Sequence, residues 1–283
     1  MSNKSSPNTD ADAADAPREP SDQRLVPAVE RAVLLLDALA AAGRALPLAD
    51  LARGLALPKS SVHGLLATLV ALGLARRDAE GQFALGLKPL QWADAFASQS
   101  GLLRAFDAHS GAFPTLQTET VMLAVLEGAD VTYLSCRQGS RALAVNFRVG
   151  GRFPAACTSS GKAMLASLSD ERVRELLGKR PMPRLTRHSV STVPALLRQL
   201  QSARAQGYAV DDEETAEGMQ CFGAPIYGAR QSEAAAAVAV SVIKAGLTAR
   251  RRDEIVRAIT GLAREMSLAL GGAAPPPVGP AAR

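Results

Sequence analysis

The densest run of chemically able side chains is Cys157-Thr158-Ser159-Ser160, directly ahead of a helical pattern at 160–168. Thr158, Ser159 and the free backbone N–H groups there suit a carboxylate, because a helix N-terminus favours anions. The competing reading is helix capping by Thr158 or Ser159, with Cys157 and Cys221 packed in a core. A nucleophile reading takes Cys157 or Ser160 with His188 as base and Asp211 as orienter. His188, however, lies in Arg184-Leu185-Thr186-Arg187-His188-Ser189, which reads as a surface loop. No GxSxG elbow, HExxH, P-loop or dinucleotide fingerprint accompanies these residues, so no catalytic residue and no cofactor is expected. Asp211-Asp212-Glu213-Glu214 offers oxygen ligands to a hard cation. It lacks EF-hand spacing, and adjacent acids on a strand point to opposite faces, so it reads as a solvated turn and no metal is expected.

The elements that must position such residues are legible from composition and period. Of 283 residues, 47% are hydrophobic and 21% charged, enough apolar material for one or two packed domains. Only 4% are aromatic, which leaves few platforms for stacking single-stranded nucleic acid. Three widely spaced cysteines without a CxxC pair argue against a disulfide framework or structural zinc and fit a reducing cytoplasm. No apolar run reaches the length of a membrane span, and the N-terminus has no signal pattern, so a cytoplasmic protein without membrane contact is expected. The net charge of +5 permits a polyanionic partner without requiring one. Residues 26–86 carry six basic against five acidic side chains, so placement of charge matters there more than its sum.

Residues 1–25 and 272–283 have no hydrophobic period and read as disordered tails. Val29, Ala32/Val33, Leu36 and Leu39 mark a first helix from Pro27 to about Gly43; a second runs over 48–55 and a third over 58–72. Strand candidates 74–77 and 82–85 flank the turn Asp78-Ala79-Glu80-Gly81. Three helices and a hairpin describe a winged helix-turn-helix over 26–86. On the third helix, Val62, Leu65, Leu66 and Leu69 share one arc, opposite a small face of Ser60, Gly64, Ala67 and Ala71 flanked by His63 and Thr68. Such a face suits the major groove of double-stranded DNA. Lys59, Ser60 and Ser61 in the first turn suit phosphate, as do Arg76 and Arg77 on the hairpin. The plain alternative is an ordinary surface helix.

A connecting helix is expected over 87–105, then an α+β domain over 106–271 with a mostly antiparallel sheet. Its strands fall near 121–126, 131–134, 142–147, 221–226 and 234–243, and its helices over 160–168, 194–206 and 249–270.

Several motifs resemble the IclR family of transcription regulators. They are Val26-Pro27-Ala28-Val29-Glu30-Arg31-Ala32, the run Leu51 to His63, Met122 to Gly128, Cys157 to Ala166, Gly207 to Glu214 and Gly218 to Cys221. The resemblance covers about Val26 to Leu270. It implies a winged helix-turn-helix, a linker helix and a GAF-like effector domain, in a homodimer or homotetramer on palindromic operators. It also implies a small-molecule effector, often an organic acid or aromatic catabolite, and adds Asp211, Cys221 and Ser241 to Thr158 and Ser159 as effector residues. Two positions depart from the family pattern: Gly64 stands where Arg is usual, and Ala239 where Ser is frequent. The first departure implies an altered operator preference, or affinity that rests more on Arg76, Arg77 and dimerisation.

Overall fold

The computed structural model describes residues 25–140, 147–178, 181–229 and 231–272. It divides into two compact units, Met1–Asp94 and Ala95–Arg283. The expected tails lie outside the described residues, apart from Leu25 and Gly272 at their edges.

In the first unit, α1 (Pro27–Ala42) starts with Pro27, whose missing N–H would be unpaired there anyway, and ends at Gly43 with φ 62°. Its core residues are Leu35 and Leu39; Val29 and Val33, marked by the sequence period, are 61% and 51% exposed. Apolar side chains wrap more than one face of this helix, and neighbouring elements decide which face is covered. Helices α2 (Leu48–Gly54) and α3 (Lys59–Ala71) meet through a turn in which Ala56 has φ 52°. A left-handed non-glycine residue costs about 1–2 kcal/mol. The turn is held by Leu57 N–H, which donates to Ala52 O at 3.0 Å. Strands β1 (Ala75–Arg77) and β2 (Phe83–Leu85) form the wing. Its turn is closed by Gln82 N–H donating to Asp78 Oδ1 at 2.7 Å. Leu46 adds a bridge to Phe83 that had no sequence signal. Leu35, Leu39, Leu51, Val62, Leu66 and Phe83 belong to one core.

The single helix expected over 87–105 is two, α4 (Lys88–Gln99) and α5 (Gly101–His109). Ser100 leaves the helical region (ψ 111°), and its hydroxyl accepts from Leu103 N–H at 3.3 Å, capping α5. A hydroxyl that competes for backbone N–H groups ends a helix more readily than period alone reveals.

The second unit is built on strands β3 (Thr120–Glu127), β4 (Asp130–Arg137), β5 (Arg152–Pro154), β6 (Ala209–Asp212), β7 (Met219–Ile226) and β8 (Ala236–Ile243). They form one antiparallel sheet in the order β5-β4-β3-β8-β7-β6. Because side chains alternate along each strand, the sheet carries two cores. Met122, Ala124, Ala237 and Ala239 face α6 (Ser159–Leu165), α7 (Asp170–Leu177) and α8 (Val193–Gln206). Val121, Leu123, Phe222, Val238 and Val240 face α5 and α9 (Ala249–Ala269). β5, β6 and α7 had not been marked in the sequence. The strand expected at 142–147 lies outside the described residues except for Phe147, which packs edge-on against Tyr133 at 5.3 Å between centroids.

Candidate DNA-reading helix and sensor site

Helix α3 presents the two faces its sequence demanded. Val62, Leu66 and Leu69 are buried and Leu65 is half-buried, while Ser60, His63, Gly64, Ala67, Thr68 and Ala71 are exposed. Lys59 is exposed and Ser61 half-buried. Pro58 at the N-cap offers no side-chain acceptor to the first-turn N–H groups, which suits a phosphate partner. Thr68 Oγ1 donates to Gly64 O at 3.0 Å, so this hydroxyl also serves its own helix.

Gly64 has nothing within 4 Å of where a Cβ would stand. Gly64→Ala is therefore expected to raise stability by about 0.5–1 kcal/mol in urea unfolding. Gly64→Arg is expected to tighten DNA binding or shift its sequence preference. Unchanged affinity and preference in that variant would remove position 64 from the reading face.

The two wing arginines differ. Arg77 pairs with Phe83 in the ladder, stands 5.6 Å from its ring centroid and donates to Gly81 O at 3.3 Å. Arg76 pairs with Ala84 and so points to the other, exposed face. Arg76→Ala is expected to weaken DNA binding and lower the slope of log K against log salt by about 1. Arg77→Ala is expected to act mainly on the stability of the wing. Equal salt slopes for the two variants would refute the division.

In the second unit, sheet register gathers residues far apart in the chain. Asp211 pairs with Cys221, Cys221 with Ser241, and Ser241 with Thr120. All four are buried on the α6 side of the sheet, as one row of carboxyl, thiol and two hydroxyls. The Cys221 thiol donates to Ser241 Oγ at 3.3 Å. Thr120 Oγ1 is buried without a hydrogen-bond partner, and Ser160 Oγ on α6 is buried beside the Tyr133 phenol. Orphaned buried hydroxyls are uncommon and call for a ligand or water. Ala239 lies on the same face, opposite Met122 and Gly223, and makes the wall beside the row apolar.

Helix α6 covers the row at very close range. A Cβ on Gly223 would stand 2.4 Å from Ser159 O. Thr158 Oγ1 accepts from Gly161 N–H at 3.0 Å, so its hydroxyl is the N-cap, the capping role weighed from sequence. Ser159 is buried. At seven residues α6 is short, so hydroxyls rather than the helix dipole give this site its polarity. Cys157 is fully buried with its thiol toward Pro183 O at 3.5 Å. Burial pushes that thiol pKa up, the opposite of an activated nucleophile. His188 is exposed, and its Nε2 accepts from Arg187 Nε at 3.1 Å.

The acidic run is not a solvated turn throughout. Asp211 and Glu214 are buried, while Asp212 is exposed and Glu213 half-buried at φ 62°. Asp211 Oδ1 accepts from Glu214 N–H at 2.7 Å and Thr215 N–H at 3.2 Å, folding the chain back over the sheet. Glu214 then pairs with Lys162 of α6 and accepts from Gln199 Nε2 at 3.2 Å and Val190 N–H at 3.3 Å. Burial holds the Asp211 carboxyl above its ordinary range, with Thr215, Lys162 and the Glu214 N–H pulling it back. Among the described residues no group of three His, Cys, Asp or Glu side chains is placed to hold a metal ion.

Thr120, Ser160 and Tyr133 complete the site. Ser160 was marked only as a possible nucleophile, and Thr120 and Tyr133 had no signal of their own. Tyr133 is buried, with its phenol pKa raised first by burial and then by Cys221, while Ser160 lowers it. A separate cavity of about 150 Å³ lies near Ala163, Gly207, Pro225 and Tyr227. Pro225 is four residues along β7 from Cys221, roughly 13 Å away. Arg204 beside that cavity is already bonded to Ala166 O, Leu168 O and Asp170.

A winged helix-turn-helix in one unit and a buried polar row under a short helix in the other define a one-component DNA-binding regulator with a sensor domain. The chain belongs to the IclR family of bacterial transcriptional regulators: residues 28–79 match the IclR helix-turn-helix domain, and residues 98–268 match the IclR C-terminal domain. It is 31% identical over 244 residues to the HTH-type transcriptional regulator BhcR of Paracoccus denitrificans, covering 86% of this chain and 87% of that one. The crystal structure of the Agobacterium tumefaciens repressor BlcR is 37% identical with a TM-score of 0.57, covering 88% of this chain and 98% of that one. An IclR homologue from Microbacterium hydrocarbonoxydans, crystallised with 4-hydroxybenzoate, is 25% identical with a TM-score of 0.73, covering 86% and 98%. Its relatives are transcriptional regulators, and no helix among the described residues is long and apolar enough to cross a membrane.

Proposed function

We propose that this regulator binds a palindromic operator through α3 and the wing, and that a small organic or aromatic acid seated on the Asp211–Cys221–Ser241–Thr120 row changes that binding. The observation that carries the reading is the buried, unpartnered Thr120 hydroxyl at the end of the row on the covered face of the sheet. The similar protein crystallised with 4-hydroxybenzoate supports the ligand class. The protein acts in the cytoplasm as a regulator rather than an enzyme. The test is binding to DNA from its own upstream intergenic region at fixed salt, with and without a panel of small acids that includes 4-hydroxybenzoate. Saturable binding altered by one acid is expected. Sequence-indifferent binding with no ligand response would instead fit an architectural DNA protein. Turnover of a bound acid, lost in Cys157→Ala, would favour an enzyme.

The working form is a homodimer or homotetramer, since a palindrome demands a two-fold partner. Exposed Val26, Val29 and Val33 on one side of α1, and exposed Leu90, Trp92 and Phe96 on α4, are apolar surface that a second copy would cover. No residue of α4 is buried. Sedimentation is expected to give a dimer or larger, and Trp92→Lys with Phe96→Lys to dissociate it with loss of operator affinity. A wild-type monomer at micromolar concentration would contradict this.

A further inference from the structure

We propose that binding of an anionic effector is coupled to uptake of one proton by Asp211, so that acidification strengthens the response; this rests on the sensor-site reading above. The groups facing Asp211 are few. Cys221 comes from β7, Lys162 from α6, Glu214 from the turn after β6, Cys157 from the segment before α6 and Tyr133 from β4. Burial raises the pKa of both thiols and of the phenol, so these three stay neutral near pH 7. The remaining charges are one cation, Lys162, and two carboxylates, Glu214 and Asp211.

Lys162 is already committed. It is buried, paired with Glu214, and donates to Val210 O at 3.1 Å. The cluster with Asp211 ionised is therefore one negative charge in excess, in a place where water screens little. An acid bonded to the Ser241 and Thr120 hydroxyls lies about 10–14 Å from Asp211, two to three strands along the row at roughly 4.8 Å each. It adds a second uncompensated negative charge.

A proton on Asp211 removes the conflict in two ways. It takes away the excess charge, and it turns an acceptor-only carboxylate into a donor. A protonated Asp211 then adds a donor at one end of the row, with the Ser241 and Thr120 hydroxyls as donors toward the other, while the Cys221 S–H stays on Ser241 Oγ. The proton comes from solvent and resides on one Asp211 oxygen, while Oδ1 keeps its bonds from Glu214 and Thr215 N–H. The raised Asp211 carboxyl in the unliganded protein agrees with this direction.

The experiment is calorimetry of the full chain with 4-hydroxybenzoate and a set of short monocarboxylic acids, at pH 7, in phosphate and in Tris. The difference in apparent heat between the two buffers counts protons. An acid that binds is expected to do so with net uptake approaching one proton, and with Kd falling by up to about tenfold per pH unit between pH 8 and 6. Asp211→Asn keeps a carbonyl for the two backbone donors and is expected to bind with no proton uptake and a flat pH profile. Wild-type binding without uptake overturns the coupling and leaves the site reading standing, whatever the variant does. Uptake that persists in Asp211→Asn overturns the assignment to Asp211. No binding by any acid of the panel overturns the site reading and the coupling together.

Discussion

Gly223→Ala is expected to abolish the effector response while DNA binding persists. The new methyl carbon would stand 2.4 Å from Ser159 O, 2.5 Å from Ser159 C and 2.7 Å from Ser160 N. These are backbone atoms and cannot rotate aside, so the start of α6 must lift from the sheet. Gly161 ties the same segment down from behind, since a Cβ there would lie 2.3 Å from Ala155 O. Overpacking of this kind costs about 1–3 kcal/mol, occasionally more. The displaced atoms carry Ser159 and Ser160 away from the Asp211–Ser241 row, so the loss falls first on ligand binding. The DNA-reading unit has its own core around Leu35, Val62, Leu66 and Phe83, and is expected to keep its DNA affinity. The measurement is thermal unfolding beside acid-dependent DNA binding. A full ligand response at wild-type stability would show that α6 does not form the roof of the site. The same substitution at Gly64 is expected to stabilise, because that position is open. The pair separates steric conflict from the general effect of adding a methyl group.

Glu214→Gln is expected to destabilise the protein by about 3–5 kcal/mol, since it leaves Lys162 charged and buried without its partner. Lys162 is among the most buried large side chains in the chain, and Glu214 is 3% exposed. The carboxylate also receives Val190 N–H and Gln199 Nε2, so its loss loosens the 181–190 segment and α8 as well as the turn after β6. The Glu214 backbone is itself anchored, its N–H to Asp211 and its carbonyl by Ser189 Oγ at 2.8 Å. A double change, Lys162→Met with Glu214→Leu, removes both charges and is expected to recover most of the loss, because a well-packed apolar pair can replace a buried ion pair. Urea unfolding of the two variants checks both statements. A single-variant loss below about 1 kcal/mol would place the pair among solvent-screened surface bridges.

Much of the DNA-reading unit was legible because its determinants are local. At 100° per residue the apolar arc of α3 follows directly from Val62, Leu66 and Leu69. The wing follows from two short strands around Asp78–Gly81, whose side chain and backbone close their own turn. The exceptions were contacts between elements: the Leu46–Phe83 bridge, and the choice of Leu35 over Val33 as the buried side of α1. A helix with apolar residues on several faces does not state which one meets a partner.

The sensor site was half legible. The Cys157–Ser160 run announced a polar helix start, and the resemblance to the IclR family supplied Asp211, Cys221 and Ser241. Thr120 begins a strand of Val, Met, Leu and Ala and had nothing to distinguish it. Glu214 and Asp211 read as surface acids because four consecutive carboxylates are normally solvated. Glu214 is buried against a lysine 52 positions away in the chain, on a helix whose own pattern gave no hint of an ion pair, and Asp211 is held by the backbone N–H groups of Glu214 and Thr215.

The sequence by itself determined the winged helix-turn-helix, the two faces of its reading helix, the α+β character of the second unit and the family. Each rests on period, capping or motif within a few dozen residues. Only the tertiary structure brought the candidate sensor residues together, because their row crosses four strands. Antiparallel register aligns residues 120, 211, 221 and 241, and a one-residue slip of any strand would turn its member to the opposite face.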